Sequence, residues 1–337
     1  MIRYLEPEEK LETRKLWQEA FPEDSESFDN YYYDEVVKNN RIIAKIEDGE
    51  LLTMVHLNPY RIRVRNQIWD CDYIVGVATK ADRRHEGHMR DALVFMLKDM
   101  MEQKVPFCFL MPADEKIYLP FDFTFIYDQP KWKLQEQADV QKVPFDENRT
   151  REVADWMGQW LENQYQVHSV RDEKLLERHI RELESEKGQL YLLENDDELV
   201  GIQSVWGSER QEQRELLCDP QYVEEAGESH PAIMARIVDL QEFVSVICLK
   251  EDCIQNSLTV KLRIYDEILD ENEGTYLWHL NKESSYLEKL ENEDTIEVPE
   301  FTIAEMTSWL FGYVKVHKAE WCQEIRVLEG VFLDEVV

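Results

Sequence analysis

Positive charge is what this sequence has least of: 38 Lys and Arg stand against 71 Asp and Glu in 337 residues, a formal net charge of -33 at pH 7. A chain this acidic repels polyanions, which excludes nucleic acid as a general partner and favours amines and other cations. No stretch approaches about eighteen uncharged apolar residues, so no membrane span is expected. The start, MIRYLEPEEKLETRKLWQEAF, lacks the basic flank and apolar core of a secretion signal, and the expected location is cytoplasmic. Cysteine is sparse and unpaired in sequence: Cys71, Cys108, Cys218, Cys248, Cys253 and Cys322 form no CxxC pair of the zinc type. They read as reduced core thiols, with neither disulfides nor a structural metal. What is present is apolar material, 43% hydrophobic and 11% aromatic, enough to bury the cores of two or three domains.

Periodicity divides the chain into three segments. In the first, residues 1 to 22 and 25 to 38 read as helices, with Ser25 a cap for the second. RIIAKIEDGELLTMVHL is two strand runs around Asp48-Gly49, a hairpin signal, and YRIRVRNQIWDCDYIVGVAT holds two more around Asn66-Gln67. A helix follows, with Met89, Leu93, Met96, Leu97 and Met100 on one face, then the strand VPFCFLM, a short turn ADEKIYL and the strand FDFTFIYD. After the polar linker QEQADVQKVPFDENRT, the second segment has two helices and the hairpin GQLYLLENDDELVGIQSVWG. The match of EDGELLTM with NDDELVGI, each preceded by helices, suggests a duplication. The third segment reads as a helix over IMARIVDLQEFVSVI, strands in SLTVKLRIYDEIL and TYLWHL, and a helix in FTIAEMTSWLFGYV, an α+β module.

One turn runs against the charge of the whole. Between the strand ending VGVAT and its helix stand Lys80, Arg83, Arg84, His85, Gly87 and His88. A helix N-terminus leaves backbone N–H groups unpaired and carries partial positive charge, and a glycine there lets an anion approach the backbone closely, so the turn suits a pyrophosphate. The residues alone leave a second reading open, that of basic side chains solvating a helix end. His85 and His88 have no third ligand on their face, so metal is not expected.

The arrangement Val77, Thr79, then Arg84-x-x-Gly87-x-Met89 after a strand, with a strand and a tyrosine turn downstream, resembles the acetyl-CoA motif of the GNAT acetyltransferases. Met89-Arg90 in place of the usual second glycine resembles the enhanced-intracellular-survival (Eis) branch, whose members add a degenerate GNAT-like domain and a C-terminal sterol-carrier-protein-like domain. The resemblance covers nearly the whole chain. It departs at Arg83, where many GNATs have an aromatic residue, and at His85 and Glu86, which replace basic residues. The fold implied is α/β and α+β: tandem GNAT folds with mixed, mostly antiparallel sheets and flanking helices, plus the sterol-carrier-like module. Its divisions are 1–134, 135–229 and 230–337.

The function implied is transfer of an acetyl group from acetyl-CoA, as co-substrate and without metal, to an amine. By resemblance, Val77, Ala78 and Thr79 offer backbone groups to the pantetheine arm, and Arg84, His85, Gly87, His88 and Met89 surround the pyrophosphate. Tyr118 takes the place of the acid that protonates the departing thiolate, and the terminal carboxylate, here Val337, that of the base. Relatives of this branch form hexamers, so a dimer-based or hexameric homo-oligomer is expected. For the acceptor, Phe28, Tyr32, His56 and Tyr60 are candidates for an aromatic pocket, with core packing as the other reading. Aminoglycoside, polyamine, peptide and lysine amines all suit the charge. A CoA-binding regulator without transfer, and a lipid-binding protein using the C-terminal module, stay open as other functions.

Overall fold

Two adjacent left-handed residues, Asp48 (φ 50) and Gly49 (φ 80), turn the chain between strands β2 (Arg41–Glu47) and β3 (Glu50–Val64), as the Asp-Gly signal predicts. The computed structural model describes residues 1–207, 210–291 and 298–334. The expected four-strand run is three strands, because MVHL and YRIRV are one 15-residue strand running through Pro59. Pairing with β2 ends at Leu57, and pairing with the short strand Val167–Ser169 begins at Ile62. Pro59 lies in the gap between these neighbours, where a missing N–H costs no ladder bond. The N-terminus also differs from expectation: Ile2–Tyr4 is a strand, β1, paired with β2. Helices α1 (Arg14–Ala20) and α2 (Glu26–Tyr31) follow, with Ser25 capping α2 by accepting from Phe28 N at 3.0 Å.

β4 (Gln67–Thr79), helix α3 (His88–Glu102), β5 (Phe107–Leu110) and β6 (Thr124–Gln129) complete the first segment. α3 buries Leu93, Met96, Leu97 and Met100 as its spacing predicts. The helix expected over IMARIVDLQEFVSVI is overturned. His230–Ile237 is a strand, and the helical part of the stretch is limited to a one-turn helix at Leu240–Phe243 and the 3-10 turn Val244–Val246 that continues it. That strand does not open the third module; it fills the gap between β5 and β6, antiparallel to both. Among the described residues the main path of the first sheet is therefore β1, β2, β3, β4, β5, 230–237, β6. Its burial on both faces, from Ala232 to Val238, explains why its sequence carries no strand alternation.

The second segment contributes helices α4 (Thr150–Gln164) and α5 (Glu173–Ser185) and an antiparallel sheet ordered 212–218, 198–206, 189–195, 141–144. In the C-terminal module, strands 285–289, 274–281, 257–265 and 300–302 form another sheet, and the helix Ile303–Leu310 packs on the 230–237 strand. Thr302 and Glu305 close a capping box at its start. The architecture is mixed α/β with mostly antiparallel sheets. No helix among the described residues is long and apolar enough to cross a membrane.

Candidate active site

The first sheet has one parallel junction in its main path, and that junction is a fork. β4 and β5 share a single paired position, Tyr73 with Phe109, and beyond it β4 continues to Thr79 without a partner on that side among the described residues. A bulge drives the divergence. Register with β3 shifts between Met54–Ala78 and His56–Val75, and Gly76 sits there at φ 59. A Cβ on Gly76 would lie 2.4 Å from the Trp17 ring of α1, so glycine is demanded both by the backbone and by the close approach of that indole. An isolated glycine inside a strand run was the sequence signal for this bulge.

The turn at the end of β4 carries two left-handed residues, His85 (φ 68) and Gly87 (φ 85). Gly87 is the N-cap of α3, and no side chain caps that helix, so the amides of its first turn are left for a ligand or solvent. Around Gly87 there is nothing within 4 Å of an added Cβ; open space faces the bare helix end. Arg84 is exposed, and its Nε donates to Thr79 O at 3.3 Å. His88 is turned inward and buried. Its Nε2 lies 3.0 Å from Glu86 Oε2, which also accepts from Arg83 Nε at 2.9 Å. Glu86, the acid unexpected in this turn, thus braces it, and the Arg83 hydrogen bond holds its carboxyl below the usual range.

Tyr118 lies on the turn after β5, set by Asp114 accepting from Lys116 N at 3.0 Å. It is buried in the apolar cluster that includes Leu93 and Met96 of α3, with its ring edge-on to Phe123 at 5.9 Å. Burial pushes its phenol up to about 12, so the side chain is a neutral O–H donor at physiological pH.

The four candidate acceptor residues do not gather at one cavity. Phe28 borders a pocket of about 180 Å³ with Glu23, Asp24, Glu186 and Trp206, whereas Tyr60 borders another of about 210 Å³ between β3 and α5. Tyr32 and His56 are fully buried and line neither. Tyr32 OH lies 3.2 Å from His56 Nδ1 and 3.3 Å from Asn58 Oδ1, and Asn40 Nδ2 also reaches both. Burial pushes His56 down to about 3, with Lys10 adding to the effect. These two are a hydrogen-bonded core, the other reading of the aromatic residues.

Sequence reasoning missed the polar face that the second segment lays over the fork. Arg178 of α5 donates to Tyr60 OH and lies over the Tyr60 ring at 4.8 Å. That ring is 6.2 Å from Tyr73 and 6.1 Å from Phe109, the residues of the junction. Buried ion pairs Arg171–Glu215 (3.2 Å) and Arg214–Asp334 (3.5 Å) stand in the same region, and both guanidiniums help depress the buried His179, after the larger effect of burial. Scattered between Arg171 and Asp334 over α5, strand 212–218 and two connecting segments, these residues have no spacing a linear motif could reveal. Val337 lies outside the described residues; the chain is buried as far as Asp334. A cavity of about 1140 Å³ between β6 and residues 309–331 is lined by none of the expected site residues, so cavity size does not mark this site.

Comparison with known proteins fits this geometry. Residues 1–126 match the acetyltransferase (GNAT) domain and residues 252–335 the sterol carrier protein domain. No curated protein matches the chain by sequence. Three solved structures share the fold along nearly the full length. A probable N-acyltransferase from Enterococcus faecalis V583 is 16% identical with TM-score 0.78, covering 97% of this chain and 93% of that one. A GCN5-related N-acetyltransferase from Kribbella flavida is 13% identical with TM-score 0.76, covering 100% and 98%. Eis1 from Mycobacterium abscessus is 12% identical with TM-score 0.71, covering 99% of each. At such identities the likeness is one of fold. The forked strands, the bare helix end and the two domain matches together make this chain an enzyme built on a GNAT N-acetyltransferase domain, with a sterol carrier protein domain at its C-terminal end.

Proposed function

We propose that the chain transfers an acetyl group from acetyl-CoA directly to an amine. The observation that carries this reading is the fork between β4 and β5 with the uncapped N-terminus of α3 at its mouth. The edge of β4 at Val77, Ala78 and Thr79 that faces away from β3, which no strand pairs among the described residues, suits the amides of a pantetheine arm, which would add to it like a strand. The amides of Gly87, His88 and Met89 suit a pyrophosphate, with Arg84 supplying exposed charge and His85 an exposed ring N–H. His88 serves there through its backbone, its side chain being engaged with Glu86.

In the transfer, the amine nitrogen bonds to the thioester carbonyl carbon and the C–S bond breaks. The nitrogen loses a proton to a base, and the sulfur gains one from Tyr118 O–H, whose phenolate is then reprotonated from solvent. Support for Tyr118 is its neutral buried phenol beside α3. Support for Val337 as base is the family resemblance, together with burial of the chain up to Asp334. The polar residues of the second segment, Arg178 foremost, wall the acceptor side. We further propose that the enzyme is cytoplasmic and assembles as a dimer-based or hexameric homo-oligomer, the symmetric class to which most soluble oligomers belong.

The test is an acceptor screen read by CoA thiol release, with acetyl-CoA binding followed by thermal shift. Arg84→Glu puts a negative charge at the pyrophosphate position and should remove the acetyl-CoA shift. Retention of the full shift in that variant, or no thiol release with any amine, overturns the reading.

A further inference from the structure

The strand that fills the first sheet carries an arginine within its fully buried run. Arg236 is fully buried, in an otherwise apolar run. Its Nη2 donates to both oxygens of Asp266, at 2.7 and 2.9 Å. Its Nη1 donates to Phe121 O at 2.9 Å and to Asp122 Oδ2 at 3.2 Å. Phe121 and Asp122 close the turn that Tyr118 opens: Phe121 N donates to Tyr118 O at 2.9 Å, and Asp122 takes the left-handed conformation (φ 60) that ends it.

Asp266 is anchored on the other side. It accepts from Ile268 N (3.1 Å), Leu269 N (3.0 Å) and Asn272 Nδ2 (2.9 Å). Asn272 in turn donates to Val238 O at 2.8 Å and accepts from Leu240 N at 3.1 Å. The 266–272 turn lies within the part of the chain that matches the sterol carrier protein domain. Its Ile268 and Leu269 enter the same apolar cluster as Tyr118, Phe121 and Phe123. One continuous chain of contacts thus runs from the C-terminal domain through a single guanidinium to the tyrosine turn.

Stability alone is a poor reason for such a pair. Desolvating two charges largely cancels their attraction, and apolar residues of the same volume often serve as well or better. An aliphatic residue at 236, however, would leave Phe121 O without that donor and the turn without its clamp. We propose that Arg236, held by Asp266, is a positioning residue for Tyr118, so that the C-terminal domain sets the place of the phenol in the first domain. The inference rests on Tyr118 acting as the acid, and it gives the sterol carrier module a part in transfer that needs no lipid.

The test uses the full chain, with thiol release as readout and three single variants: Tyr118→Phe, Asp266→Asn and Asp122→Asn. Asp122 is only half-buried, so its variant keeps the test open if Asp266→Asn does not fold. A displacement on the order of 1 Å at the reacting group costs up to about a hundred-fold. Asp266→Asn and Asp122→Asn should therefore lower kcat by about ten- to a hundred-fold, with KM for acetyl-CoA held within about two-fold. Adding Tyr118→Phe to either should cost little more, since a displaced phenol has little left to lose. If Tyr118→Phe lowers kcat by the same factor with and without the Asp substitutions, the two act independently and the strut does not position the phenol. If Tyr118→Phe alone leaves kcat unchanged, the acid assignment fails, and the inference with it.

Discussion

The first and second segments begin alike and part at one point. Each has helices, then a hairpin closed by two left-handed residues, Asp48-Gly49 in one and Asp196-Asp197 in the other, and each hairpin has a register shift beside its turn, at Lys45/Ile46 and at Leu193/Glu194. Both then add a third antiparallel strand, β4 beside β3 and 212–218 beside 198–206. Only the first segment goes on to cross over through α3, which places β5 parallel to β4. A parallel neighbour demands a crossover, and a helical crossover sets a helix N-terminus at the C-terminal end of the preceding strand. On the proposed function, the chemistry belongs to the crossover and the shared meander is scaffold.

The largest effect that tests this contrast comes from cutting the chain. The second segment pairs its main sheet from its own strands, while the first borrows 230–237. A fragment ending at residue 134 should show no cooperative unfolding transition by circular dichroism; a sharp one would mean the borrowed strand is dispensable. Next is Tyr118→Phe, expected to lower kcat by about a hundred- to ten-thousand-fold. Tyr191→Phe, on the 189–195 strand of the second segment, should leave kcat unchanged, and equal losses would erase the distinction between the halves.

Both halves also bury an imidazole whose basicity burial depresses, His56 in the first and His179 in the second. For His56 the folded value, about 3, lies below the unfolded 6.5, so between these values the unfolded chain binds more protons. Its contribution is complete above pH 6.5 and is lost as pH falls toward 3, on the order of 5 kcal/mol at about 1.4 kcal/mol per unit. His56→Gln should flatten that part of a denaturant-unfolding profile; an unchanged slope would place the acid sensitivity elsewhere. The smallest effect separates two glycines. Gly76→Ala brings strain of about 1–3 kcal/mol from its positive φ, together with the Trp17 collision, and should lower both Tm and acetyl-CoA affinity. At Gly201 a Cβ would lie 2.7 Å from Leu217 O and 2.8 Å from Cys218 Cβ, so Gly201→Ala should lower Tm alone. Weakened acetyl-CoA binding in Gly201→Ala would show that the second segment takes part in the cofactor site.

The elements legible in sequence were those whose signal is local. The Asp48-Gly49 turn, the Ser25 cap, the apolar face of α3 and the glycine at its start each depend on a few neighbouring residues, and each stands where the pattern places it. The 230–237 strand was misread because a segment buried on both faces has no alternation, and short apolar runs of that kind do not separate strand from helix. Pro59 hid a continuous strand because its tolerance depends on which neighbours pair beside it. For the acceptor side the limit is deeper. Tyr32 and His56 have the composition of a pocket, but the carboxamides of Asn40 and Asn58 make them a core, and those partners come together only in space.

The borrowed strand also fixes a timetable. During synthesis, β6 is complete at residue 129 and its neighbour begins at residue 230, so about a hundred residues must be made before the sheet closes. At roughly 5–20 residues per second, that is an interval of about 5 to 20 seconds in which β5, whose Phe107, Cys108 and Phe109 are fully buried in the finished protein, has an open edge. Unpaired apolar edges recruit other chains. Between the synthesis of β6 and that of residue 237 the nascent polypeptide therefore carries an apolar edge open to pairing with another chain.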